Sequence, residues 1–120
     1  MSDAVYPAAT REIAEERRQL APETEAAFRA FSHQVFADGA LPARMKQIIA
    51  VAAAHITQCP YCIKGHTKAA LRQGATRQEL MEAIWVAAEI RAGGAYAHSM
   101  LAIDEMDRIA PAKPKQPGSP

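Results

Sequence analysis

Two cysteines and a histidine share one stripe of a predicted helix in the middle of the chain. They stand in Cys59-Pro-Tyr-Cys62, with His66 four residues after the second cysteine. Residues three and four positions apart lie on one face of an α-helix, so the two sulfurs can approach disulfide distance and the imidazole can reach the second sulfur. This stripe can cycle between a dithiol and a disulfide while His66 accepts or donates the proton.

The position of the motif favours reactive thiols. Pro60 disfavours helical backbone at the residue before it, which predicts Cys59 as the N-cap and Pro60 as the first residue of a helix. A helix N-terminus provides free backbone N–H groups and the positive end of the helix dipole, and both favour thiolate over thiol. A permanent structural disulfide is rare in the cytoplasm, the predicted location of this chain, so a redox-active pair is the favoured interpretation.

Other interpretations of the motif are structural cysteines, a zinc site and a glutaredoxin. Cys59, Cys62, His66 and His55 are all possible zinc ligands, but zinc usually draws its ligands from separate elements, and three of these would share one helix. Glutaredoxins also carry Cys-Pro-Tyr-Cys. Their fold requires a buried strand before the motif, whereas residues 45–56 have the period and alanine content of a helix.

Composition predicts one globular domain without a nucleic-acid or membrane partner. The chain has 120 residues, a formal net charge of +1, 49% hydrophobic and 22% charged residues. Nucleic-acid and membrane-surface binding both require a clustered basic excess, which this charge balance argues against. No apolar run is long enough to span a membrane and no signal segment is recognised, so we expect a cytoplasmic protein. We expect neither a cofactor nor a resident metal ion.

Residue preferences predict an all-α domain of about six helices over residues 1–110, since alanine-rich, β-branch-poor sequence favours helix. The first five helices are expected to begin near Thr10, Pro22, Pro42, Pro60 and Thr76. Gly93-Gly94 is expected to interrupt the fifth, and a sixth is expected to reach about Ile109. Residues 111–120 are predicted to form a proline-rich flexible tail. The buried face of the third helix is predicted to comprise Met45, Ile48, Ile49, Ala52 and Ile56.

The stretch from Leu41 to about Met100 resembles the carboxymuconolactone decarboxylase-like superfamily, specifically its alkylhydroperoxidase D-like (AhpD-like) branch. The matching segments are Leu41-Pro42, Ile48 to Ala52, Cys59 to Thr67, Ala69 to Thr76, Glu79, Glu82-Ala83 and Gly93 to Ala95. The resemblance implies an all-helical domain with the CxxC motif at the N-terminus of a central helix. It also implies a homo-oligomer, commonly a trimer or a hexamer.

The resemblance further implies a thiol-dependent oxidoreductase that reduces hydroperoxides or disulfides. In the peroxidase pattern Cys62 attacks the peroxide, and Cys59 resolves the resulting sulfenic acid into a disulfide. An external thiol donor then reopens that disulfide, and His66 passes protons during the cycle. Members that act as lactone decarboxylases do not need a CxxC pair, so the cysteines favour the peroxidase side of the superfamily.

The sequence departs from the peroxidase pattern at one position. A glutamate twelve residues before the first cysteine assists the histidine in that pattern, and Gln47 stands there in this chain. Gln47 can orient His66 through a hydrogen bond, but it cannot serve as the base of the relay. His55 and His98 are the candidates to compensate.

Two further residues have weaker claims, and two further functions remain open. His33 is a minor candidate for the site, and Tyr61, between the cysteines, is expected to shape access to them. One alternative function is a non-catalytic oligomer whose CxxC senses redox state or binds a partner, which Gln47 makes more plausible. The other, less favoured, is a metal-binding module.

Overall fold

The computed structural model describes residues 5–111, and within that range every regular element is an α-helix. There are five: α1 (Arg11–Leu20), α2 (Pro22–Phe36), α3 (Ala43–Thr57), α4 (Pro60–Arg72) and α5 (Arg77–Ile109). The all-α prediction is therefore confirmed. Residues 112–120, most of the predicted tail, lie outside the described range.

Capping residues begin the helices where the sequence predicted. The Thr10 hydroxyl accepts a hydrogen bond from the Ile13 N–H at 3.3 Å, and Pro22 is the first residue of α2. At α5, Thr76 and Glu79 form a reciprocal capping box, with hydrogen bonds of 3.1 and 2.8 Å. Such a box satisfies two backbone N–H groups that the first turn of a helix otherwise leaves without partners.

Helix α3 is the centre of the domain, because it packs against both α4 and α5. The core cluster consists of Val51 from α3, Ala70 from α4, Ala75 from the following loop and Leu80 from α5. The prediction for α3 was partly wrong: Met45 and Ile49 are exposed, whereas Val51 and Ala54 are buried. A helix that packs between two others buries small residues on two sides. A single apolar stripe therefore does not predict its buried residues.

The prediction of a helix break at Gly93-Gly94 was wrong, because α5 continues through both glycines as one helix of 33 residues. Each glycine costs about 1 kcal/mol relative to alanine in a helix interior. The surrounding sequence, from Ala87 to Ala102, is rich in strong helix formers and contains neither a proline nor another glycine. That context outweighs the cost, and the predicted fifth and sixth helices are one.

The long helix gives the molecule an extended shape. A helix of this length measures about 50 Å, whereas its partner α3 has 15 residues. The extents are 69 × 33 × 32 Å and the radius of gyration is 21.9 Å, against about 14 Å for a compact chain of this length. All residues from 94 to 110, which form the second half of α5 and its C-cap, are exposed. None of the five helices is both long enough and apolar enough to cross a membrane.

Candidate active site at the start of helix α4

The CxxC motif opens helix α4 as the sequence predicted. Cys59 is the N-cap residue, and its Sγ accepts a hydrogen bond from the Cys62 N–H at 3.3 Å. Pro60 fills the first helical position, where its missing N–H costs nothing. Both cysteines are half-buried free thiols. The motif therefore presents a reduced dithiol at a helix N-terminus.

The two thiols differ in acidity. The Cys62 side chain donates a hydrogen bond to the Cys59 sulfur, which together with the backbone N–H of Cys62 lowers the pKa of Cys59. The same side-chain bond raises the pKa of Cys62, because it favours the protonated form of the donor, and partial burial raises it further. The negative charge of the singly ionised pair therefore resides on Cys59, and the shared proton on Cys62.

A hydrogen bond and a ring stack fix His66. Its Nδ1 lies 2.8 Å from the Gln47 Oε1 of α3. An amide oxygen only accepts, so Nδ1 donates this hydrogen bond, and in the neutral form of the ring the lone pair is on Nε2. On another side the imidazole stacks on Phe36 from the end of α2, with 5.1 Å between ring centroids and 28° between ring planes. The hydrogen bond and the stack together hold the imidazole ring in one orientation.

Cys62, His66, Gln47 and Tyr61 line one open cavity of about 710 Å³. The end of α2 supplies another wall, made by Ser32, His33, Phe36 and Ala37. Sequence reasoning gave His33 a minor claim and missed Ser32 and Phe36. No spacing signal connects those two residues to the motif, because the approach of α2 to α4 is a tertiary contact between segments about thirty residues apart.

The two histidines expected to compensate for Gln47 do not line this cavity. His55 Nδ1 lies 2.7 Å from the Val51 carbonyl oxygen, one turn earlier in its own helix. His98 is exposed on the part of α5 that extends beyond the packed helices. Within residues 5–111, no three His, Cys, Asp or Glu side chains are grouped so that they could hold a metal ion.

The segment before α1 covers one side of the motif, a contact that the sequence did not predict. The Tyr61 hydroxyl donates a hydrogen bond of 2.6 Å to the Pro7 carbonyl oxygen. The Tyr6 ring packs edge-on against the Tyr61 ring, with 6.0 Å between centroids. Tyr61 thus joins the N-terminal segment to the redox motif.

Known proteins of similar sequence and fold identify the family. The family model described as the carboxymuconolactone decarboxylase family matches residues 22–105. A protein of Paracoccus denitrificans called uncharacterized protein 4 in the cox locus is 55% identical over 109 residues, 91% of this chain and 97% of that protein. A crystal structure from Methanobacterium thermoautotrophicum has a TM-score of 0.67 and 37% identity, covering 70% of this chain and 94% of its own.

A second solved structure is itself described as a member of that family. It is the apo form of a carboxymuconolactone decarboxylase family protein from Legionella pneumophila, with a TM-score of 0.63 and 29% identity. The similarity covers 82% of this chain and 91% of that one. On its sequence and its helical fold, the chain belongs to the carboxymuconolactone decarboxylase family.

Proposed function

We propose that this protein is a thiol-dependent peroxidase of the AhpD-like type, cycling Cys59 and Cys62 between dithiol and disulfide. The observation that carries the proposal is the shared cavity, in which Cys62 lies with His66 and with the Gln47 that orients it. A thiol beside an oriented imidazole is the arrangement that activates a sulfur nucleophile.

The first half of the cycle consumes the hydroperoxide. His66 Nε2 accepts the Cys62 proton, and the resulting thiolate attacks the terminal peroxide oxygen. An S–O bond forms as the O–O bond breaks, giving a sulfenic acid on Cys62. The departing alkoxide takes the proton from the imidazolium and leaves as an alcohol, so His66 returns to its neutral form.

The second half regenerates the thiols. The Cys59 thiolate, favoured by its lowered pKa, attacks the Cys62 sulfenic sulfur. An S–S bond forms as the S–O bond breaks, and the leaving hydroxide takes a proton from solvent, equal to the one that Cys59 released on ionising, and departs as water. An external dithiol then reduces the disulfide by exchange and is itself oxidised. In this scheme the charge on Cys59 suits the resolving role, whereas the place of Cys62 in the cavity suits the role of peroxidatic nucleophile.

The decisive experiment measures hydroperoxide consumption with dithiothreitol as donor. We expect Cys62→Ser to abolish turnover, and we expect Cys59→Ser to leave a sulfenic acid on Cys62 that dimedone captures. His66→Ala should lower the rate at least a hundredfold, the scale of general acid–base catalysis. His98→Ala, which removes an exposed histidine outside the cavity, is the matched control. Equal rates for wild type and Cys62→Ser would refute the proposal.

A second candidate function, reduction of protein disulfides, is favoured by the lowered pKa of Cys59. In that reaction the half-buried Cys59 thiolate attacks the substrate disulfide, and Cys62 releases the mixed disulfide. Insulin reduction monitored by turbidity distinguishes the two functions. Turnover of insulin that requires Cys59, without hydroperoxide turnover, would favour this candidate. Reversible oxidation with neither turnover would favour a redox sensor.

We propose in addition that the protein acts as a homo-oligomer, a trimer or a hexamer. Three large apolar side chains of helix α5, Trp85, Tyr96 and Met100, are 69%, 83% and 72% exposed in the single chain. Helical spacing places these three side chains on one face of α5, and a contiguous exposed apolar face marks an interaction surface. In this proposal second copies of the chain cover that face. Sedimentation equilibrium should give a multiple of 13.0 kDa, and Trp85→Glu should dissociate the assembly. A wild-type mass of one chain would contradict it.

A further inference from the structure

A second groove runs beside the cavity that holds Cys62 and His66. It has a volume of about 790 Å³ and lies between residues 6–9 and the first turns of α4, where Tyr61, Lys64, Gly65 and Lys68 form its floor. The peroxidase chemistry described above uses neither lysine. The groove is therefore a separate feature that borders the redox motif.

The charges along this groove suit an anion. Lys64 and Lys68 are exposed, stand one turn apart on the same face of α4, and form no ion pair with any residue of the described range. No aspartate or glutamate lines either this groove or the neighbouring cavity in the described part of the chain. Two adjacent ammonium groups without a nearby carboxylate attract a negatively charged ligand group.

The groove and the cavity adjoin each other, because Tyr61 and Gly65 line both. Gly65 has no side chain to separate them, and a Cβ placed on it would meet no atom within 4 Å. Along the helix axis, Cys62 and Lys68 are about 9 Å apart. On the cavity side Phe36, Ala37 and Ala69 offer apolar walls. One elongated molecule can thus place a reactive group at Cys62, an apolar chain beside Phe36 and an anionic group at the lysines.

We propose that the groove binds the carboxylate of a medium-chain, amphipathic hydroperoxide, the hydroperoxide group of which reacts at Cys62. Lys64 and Lys68 hold the carboxylate, and the open floor at Gly65 lets the acyl chain pass between the two compartments. This inference rests on the proposed peroxidase function for the reaction at Cys62. The binding of the carboxylate itself does not depend on turnover.

The first experiment compares a medium-chain hydroperoxy fatty acid with its methyl ester, which has the same chain and no charge. We expect wild-type kcat/KM to favour the acid by roughly two- to thirtyfold, the factor expected of two exposed charge contacts. Lys64→Gln/Lys68→Gln should remove this preference and leave turnover of the ester unchanged. Arg72→Gln/Arg77→Gln removes the same charge from exposed positions outside the groove and should keep the preference.

The second experiment needs no peroxidase activity. Octanoate should slow the alkylation of Cys62 by iodoacetamide, a neutral reagent, in the wild type and in Arg72→Gln/Arg77→Gln. Peptide mass mapping follows Cys62 separately from the more reactive Cys59. Protection should require at least fivefold more octanoate in Lys64→Gln/Lys68→Gln. Equal protection in all three proteins, or none in any, would overturn the groove assignment. Lysine-dependent protection in a protein without hydroperoxide turnover would refute the peroxidase function and support the carboxylate site.

Discussion

Replacing Gln47 by glutamate restores the residue that the peroxidase pattern carries, and it should make the relay more effective. In the wild type the Gln47 Oε1 accepts a hydrogen bond from His66 Nδ1 at 2.8 Å. A carboxylate oxygen at this distance attracts an imidazolium by about 1.5 kcal/mol even with the full dielectric constant of water. The ion pair of Cys62 thiolate and His66 imidazolium, the attacking species, gains that stabilisation.

A gain of this size corresponds to a factor of about ten in the population of the attacking species. We therefore expect Gln47→Glu to raise kcat/KM for tert-butyl hydroperoxide about tenfold at neutral pH, measured with dithiothreitol in excess. Gln47→Leu, which loses the hydrogen bond and gains no charge, should be slower than the wild type. Gln78→Glu adds the same charge at an exposed site in the first turn of α5. It should leave kcat/KM for tert-butyl hydroperoxide unchanged.

A Gln47→Glu protein that is folded but reduces the peroxide no faster than the wild type would contradict this prediction. A circular dichroism spectrum and a melting temperature equal to those of the wild type would establish that the variant is folded. An unchanged rate would mean that proton transfer through His66 does not limit peroxide reduction. Gln47 would then have only a structural role in holding the imidazole.

Three further outcomes are expected. Because the pKa of Cys59 is lowered and that of Cys62 raised, iodoacetamide should modify Cys59 first as the pH rises, and peptide mass mapping that finds Cys62 modified first would contradict the assigned charge. Tyr61→Phe loses the hydrogen bond to the Pro7 carbonyl oxygen and should speed amide hydrogen exchange over residues 6–10. The free energy of unfolding should fall by no more than about 1 kcal/mol. Unchanged exchange would show that this bond does not hold the segment. Leu80 is 6% exposed in the core, and Leu80→Ala should lower the free energy of unfolding, measured by urea denaturation, by about 2–4 kcal/mol. Leu20→Ala, at a 79% exposed position, should lower it by less than about 1 kcal/mol.

Local signals in the sequence were sufficient to locate the beginnings of the helices. Pro22, Cys59-Pro60 and the Thr76–Glu79 pair each act within one turn, and the structure agrees at all three. The predicted break at Gly93-Gly94 was wrong because a helix break does not depend on the glycines alone. The helix formers on both sides decide whether two glycines interrupt a helix. The buried face of α3 was mispredicted for a related reason, since it depends on two partner helices that periodicity does not reveal.

The residues of the candidate site also fall into two groups, those that the sequence predicted and those that it did not. The stripe of Cys59, Cys62 and His66 follows from helical spacing, and Gln47 could be located from the family pattern before its contact with His66 was seen. The stacking of Phe36 on His66 and the bond from Tyr61 to Pro7 could not be predicted. Each joins segments that are distant along the chain, and neither segment carries a motif that indicates its partner.

The scarcity of buried side chains has a thermodynamic consequence. Apart from Val51 and Leu80, the buried hydrophobic residues in the described part of the chain are alanines, which provide little apolar area to offset the conformational entropy lost on folding. If association covers α5, the free energy that stabilises the fold is in large part free energy of assembly. Stability then follows mass action, so the melting temperature should rise with protein concentration, and dilution alone should promote unfolding.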